Sequence, residues 1–173
     1  MKNIIEYAET EFRGFDAHPF SPVDSLVLSQ FAYIGFDGLV PGISEHLEYV
    51  TIGDCLKAEH YTSMFIETRD PKNNRALLFA LAASPRFRDL RMTCYINEYY
   101  AEKEKQFSAV TFILPDKSVY IAFRGTDDTI IGWKEDFNMA FVYPVPSQER
   151  ALWYLLEISA LLPGRLILGG HSK

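Results

Sequence analysis

The last third of the chain dictates a parallel crossover. Val119-Tyr120-Ile121-Ala122-Phe123 is almost continuously apolar, the composition of a strand buried on both faces. Ser147-Gln148-Glu149-Arg150 then opens a helix in which Leu152, Leu155, Leu156, Ser159 and Leu162 recur at helical spacing, and Pro163-Gly164 stops it. Arg165 to Leu168 is a short buried strand that runs into Gly169-Gly170-His171-Ser172-Lys173. Strand, helix and strand in this order form a βαβ unit, which belongs to an α/β sheet with a crossover.

The preceding segment predicts antiparallel strands on the same sheet. Met92 to Tyr100 and Phe107 to Leu114 are rich in strand formers. Pro115-Asp116-Lys117 is a turn, and Ser118 to Phe123 returns to close a hairpin. Glu98 to Lys105, with alternating charges, reads as a solvated loop. Before that the chain reads as helical. Ser21-Pro22-Val23-Asp24 supplies an N-cap, a first-position proline and a first-turn acid. Val23, Leu26, Val27, Gln30, Phe31 and Ile34 then mark one face of the helix, mostly apolar. A short helix is expected over Gly53 to His60, another from Asn73 or Asn74 to Ala82, and a last one near Lys134 to Phe141. The expected architecture is one domain over 1–173, with a helical region at about 1–90 and a mixed sheet at about 91–173.

Composition narrows the function classes. The 173 residues are 48% hydrophobic and 14% aromatic, which excludes disorder, and the net charge of -6 offers no broad cationic surface to nucleic acid. No apolar run approaches the ~18 residues of a membrane helix, and the N-terminus has no signal-peptide apolar region. The expected location is the cytoplasm. Cys55 and Cys94 read as buried free thiols, and no His, Cys, Asp or Glu spacing suggests a metal or other cofactor.

Gly170-His171-Ser172 carries the chemistry. After a buried strand it matches the opening of G-x-S-x-G, the nucleophile elbow of α/β-hydrolases. A serine there projects from a sharp turn, and the residue two before it must be small because its neighbours crowd it; Gly170 is. The serine hydroxyl needs a base to take its proton, and the amide of the next residue, Lys173, can donate to an oxyanion. His171, adjacent to Ser172 on a tight turn, points away from it and reads as packed beside the elbow. His18, His46 and His60 read as ordinary polar residues.

A second segment points the same way. Phe123-Arg124-Gly125-Thr126 ends the buried strand, and Gly132-Trp133-Lys134-Glu135-Asp136-Phe137 follows. This resembles the oxyanion-hole segment of class 3 lipases, and the resemblance assigns an oxyanion amide to Thr126 after Gly125, with Asp136 holding the Thr126 hydroxyl. Phe20 to Ser29 and Phe36 to Pro41 resemble the opening of an uncharacterised bacterial lipase-like family with a Gly-His-Ser-Lys-Gly elbow. The resemblance implies an α/β-hydrolase fold and serine hydrolase activity on an ester or related acyl bond through Ser172. The loop Asp127 to Gly132 can serve as a short lid, and Trp133 as packing or as a pocket wall.

The pattern breaks at Lys173. The last elbow glycine is not present, and in α/β-hydrolases the acid and the histidine follow the serine. The chain is therefore expected to be a truncated α/β-hydrolase, inactive alone, whose half-sheet leaves an edge through which copies can associate. The competing reading is a non-catalytic binding or interaction module on the same half-scaffold.

Overall fold

The structure, a computed structural model, describes residues 3–66, 68–100, 102, 105–126, 133–134 and 137–171. The helices are α1 (Ile4–Thr10), α2 (Pro22–Phe31), α3 (Tyr61–Phe65), α4 (Pro71–Ala83) and α5 (Pro146–Leu161). The strands are β1 (Val50–Thr51), β2 (Arg91–Tyr100), β3 (Lys105–Ile113), β4 (Val119–Arg124) and β5 (Leu166–His171). They form one five-stranded sheet in the order β1-β2-β3-β4-β5. The first three pairings are antiparallel and β4–β5 is parallel, with α5 as the crossover. The mixed α/β sheet, the hairpin and the βαβ unit are as expected.

The pleat of β4 separates two cores. Tyr120 and Ala122 face a large cluster built with α1, α2, α3 and α4, while Val119 and Ile121 face a smaller one built with α5. In the smaller core the fully buried Tyr154 donates its hydroxyl to the Cys94 carbonyl at 2.7 Å, and that hydroxyl lies 2.7 Å from Thr111 Oγ1. Cys94 has φ 54 and sits where the β2–β3 register shifts between Thr93 and Ile96. The extra residue is a β-bulge, and Tyr154 ties down the carbonyl it displaces.

Polar side chains go inside α2 where partners wait. Ser21 and Asp24 form the expected capping box. Asp24 is also buried against Arg86, with Nε–Oδ1 2.8 Å and Nη2–Oδ2 2.7 Å. Arg86 Nη1 donates onward to the carbonyls of Arg13 and His18, and its guanidinium lies 4.1 Å from the Phe15 ring centroid. The Tyr120 hydroxyl meets Ser25 Oγ at 2.9 Å and Ser29 Oγ at 2.8 Å. These partners turn the helix so that Val23 and Leu26 are exposed, correcting the apolar face expected for α2.

Three other expectations change. Gly53 to His60 is two 3₁₀ turns, Gly53–Cys55 and Ala58–His60, before α3. Glu98 lies within β2 and Lys105 opens β3, so neither belongs to a solvated loop. Glu98 accepts from Lys105 and, at 3.0 Å, from Arg150, which fastens the hairpin to α5. On α5 the buried positions are Ser147, Tyr154 and Ile158, whereas Leu152 and Leu156 are exposed. Cys55 and Cys94 are buried free thiols.

Candidate functional site

The site is built where the parallel strands end, the position at which open α/β sheets bind ligands. In the β4–β5 register Phe123 pairs with Gly170 and Arg124 with His171. Gly125 and Thr126 therefore leave β4 beside the end of β5. Gly125 is buried and Thr126 half-buried. Ser172, Lys173 and Asp136 lie outside the described residues, as does the 127–132 segment. Trp133 is exposed, so among the described residues it is not core packing.

Close packing explains the glycines of β5. A Cβ on Gly170 would stand 3.2 Å from the Phe123 carbonyl, so the crowding anticipated at this position comes from the neighbouring strand. At Gly169 it would stand 2.0 Å from the Tyr120 hydroxyl and 2.7 Å from Ser25 Oγ. Gly169 is the tighter of the two, which the motif alone does not reveal.

His171 is the last residue of β5 and is exposed, although its ring rests against Tyr33. Tyr33 donates its hydroxyl to the His171 carbonyl at 2.8 Å, and the two rings meet edge to face at 5.6 Å. His171 Nδ1 lies 3.2 Å from the same hydroxyl. This contact joins the end of β5 to the residues just after α2.

Arg124 supports the other strand end. It is almost fully buried and donates from Nη2 to Asn97 Oδ1 at 3.1 Å, and Asn97 Nδ2 donates to Asp37 at 3.2 Å. Tyr95 donates to the same carboxylate at 3.4 Å. Burial pushes the Tyr95 hydroxyl up to about 12, with Asp37 adding to the effect. Tyr95 is thus a neutral donor at neutral pH.

A cavity of about 390 Å³ opens at these strand ends. Thr126 and His171 line it, together with Tyr33, Gln30, Asn74 and Leu77. Gln30 Nε2 donates to Asn74 Oδ1 at 3.0 Å. The sequence marks Gln30 and Asn74 only as helix residues and gives neither a place in the site. The available signal was that each is a polar interruption of an apolar stripe, Gln30 among Val27, Phe31 and Ile34, and Asn74 before Leu77, Leu78 and Leu81. Among the described residues no cluster of His, Cys, Asp or Glu is arranged to hold a metal ion.

Fold and site define an α/β protein with a mixed sheet and a cavity at the carboxyl ends of its parallel strands. The sequence model of the Mbeg1-like family matches residues 81–173, from the end of α4 through β5, and the chain belongs to that family. Neither the curated proteins nor the solved structures provide a match.

Proposed function

We propose that the protein is a serine hydrolase of lipase or esterase type that cleaves an ester or related acyl bond through Ser172. The observation that carries this reading is the β4–β5 register, which sets the Gly125-Thr126 turn beside the end of β5 over a shared cavity. A nucleophile and a preorganised donor must flank one carbonyl carbon, and adjacent parallel strand ends supply that geometry.

In this mechanism Ser172 Oγ attacks the acyl carbon while a base takes its proton. The carbonyl oxygen becomes an oxyanion held by the amides of Thr126 and Lys173, with Asp136 orienting the Thr126 hydroxyl. Collapse breaks the bond to the leaving group, which departs with the proton from the base. Water then releases the acyl group by the same steps in reverse. His171 is engaged with Tyr33 and does not serve as the base. In α/β-hydrolases the acid and the histidine of the triad come later in the chain than the serine. No metal or cofactor takes part.

The test is fluorophosphonate labelling of the 173-residue chain and of the longest reading frame that contains it, each beside Ser172→Ala. The longer protein labels, its variant does not, and the short chain labels far more slowly. Absence of labelling in a folded longer protein refutes the mechanism.

A second reading has its own observation. β5 pairs only with β4 among the described residues, and exposed Leu168 on β5 accompanies exposed Leu152 and Leu156 on α5. An open apolar edge of this kind is a pairing surface. If Ser172 proves inert, the scaffold is a binding module that pairs through this edge with a second copy. No helix among the described residues is long and apolar enough to cross a membrane. We assign the protein to the cytoplasm, acting on a small or lipid-like ester and not on nucleic acid.

A further inference from the structure

The lining of the cavity has a chemistry of its own. Leu77 and Ile4 give it apolar surface, while Gln30, Asn73 and Asn74 bring carboxamides. Asn74 is 3% exposed. Its Oδ1 is taken by Gln30 Nε2, which fixes the orientation of the carboxamide. Its Nδ2 has no hydrogen-bond partner among the described residues, although the side chain lines the cavity. The atom is open to the cavity rather than sealed from solvent, so a ligand there either replaces its water with an acceptor of its own or loses that hydrogen bond.

We propose that this cavity is the substrate pocket of the hydrolase and that it takes a short acyl ester bearing a neutral carbonyl acceptor, an amide oxygen that receives the Asn74 Nδ2 hydrogen bond. The inference rests on the hydrolase reading and names its substrate class. A volume of about 390 Å³ is at the lower end of the roughly 300–1,000 Å³ of small-molecule sites. A long alkyl chain in it would strip water from the carboxamides and return no hydrogen bond. A charged group would gain little, because the lining carries both signs in Arg69 and Asp70.

Two probes of similar length separate the alternatives: N-acetylglycine methyl ester, which carries the amide, and methyl hexanoate, which does not. Each is titrated into the 173-residue chain and followed by the amide NMR signals of Asn74 and Leu77. The amide ester binds at least about tenfold more tightly, the scale of one buried hydrogen bond. Asn74→Asp at pH 8 keeps the acceptor for Gln30 and removes the donor, and it abolishes the preference. Leu77→Phe fills the apolar side and removes binding of both probes, which keeps the test decisive if Asn74→Asp fails to fold. Equal or tighter binding of methyl hexanoate, a preference that survives in Asn74→Asp, or binding untouched by Leu77→Phe overturns the proposal. Fluorophosphonate labelling of Ser172 does not depend on the pocket donor. Labelling without amide preference sinks the substrate class alone, and amide preference without labelling sinks the hydrolase reading alone.

Discussion

At Gly169 one added methyl group would collide with the Tyr120 hydroxyl, which is itself fixed by Ser25 and Ser29. Gly169→Ala must therefore push a buried ring or the edge strand aside. It should cost about 1–3 kcal/mol or somewhat more, read from urea melts. Tyr120→Phe alone leaves the two serine hydroxyls without their partner and should cost about 1–3 kcal/mol. The double variant should lose less than the sum, because the second change removes the atom that the first one strikes. Additive losses would show that the clash is relieved elsewhere. A second residue-scale expectation concerns Cys55. Burial and the neighbouring Asp54 push its thiol up to about 12, so it holds no thiolate at neutral pH. A native chain should leave Cys55 unreacted with a thiol reagent that labels it at once in denaturant.

Between elements, the Arg86–Asp24 pair fixes α2 against the turn that follows α4. Burial pushes the Asp24 carboxyl up, but the hydrogen bonds from Arg86 and Ser21 outweigh it and hold the group below its ordinary value. A depressed folded value means that the unfolded chain takes up the proton first. The stabilisation is fully present above the unfolded value of about 3.9 and is lost as pH falls from there through the folded value. Glu98, held low against its own burial by Lys105 and Arg150, acts in the same sense from about 4.3 downward. Arg86→Met strands Asp24 in the core and should cost about 3–5 kcal/mol at pH 7. Asp24→Asn should flatten the loss of stability between pH 5 and 3, and an unchanged acid slope in that variant would remove Asp24 from the account. α2, α4, the hairpin and the crossover were legible in the sequence because strand composition, the proline turn and the helix stops are local signals, whereas the short α1, β1 and α3 were not. The buried faces of α2 and α5 were not. Arg86 and Tyr120 pull Asp24, Ser25 and Ser29 inward from far along the chain, and periodicity carries no record of such partners. In the candidate site, Thr126, Gly170 and His171 could be named from motifs. Tyr33, Gln30 and Asn74 could not, because only folding brings them to the strand ends.

At the scale of the whole molecule, β5 is an edge strand among the described residues. Leu168 on it is exposed, as are Leu152 and Leu156 on α5, and burying such surface yields roughly 25 cal/mol per Å². If it is covered by a second copy, the chain should sediment as a dimer at micromolar concentration. Leu168→Lys should return it to monomer without loss of secondary structure, since lysine on an edge strand opposes pairing. A monomer in both cases would leave the edge to some other cover.

The contacts that tie α2 and the residues just after it to the sheet span much of the chain. Tyr33 meets His171 across 138 positions, and Ser25 meets Tyr120 across 95. Such long loops must be closed before their contacts reward the chain, which slows folding. On the ribosome, α2 emerges long before β4 and β5, the strands it packs against, have been made. The pocket is then the last part of the molecule to take shape, and a nascent chain stalled short of residue 166 should give its N-terminal helices up to a protease that spares the finished protein.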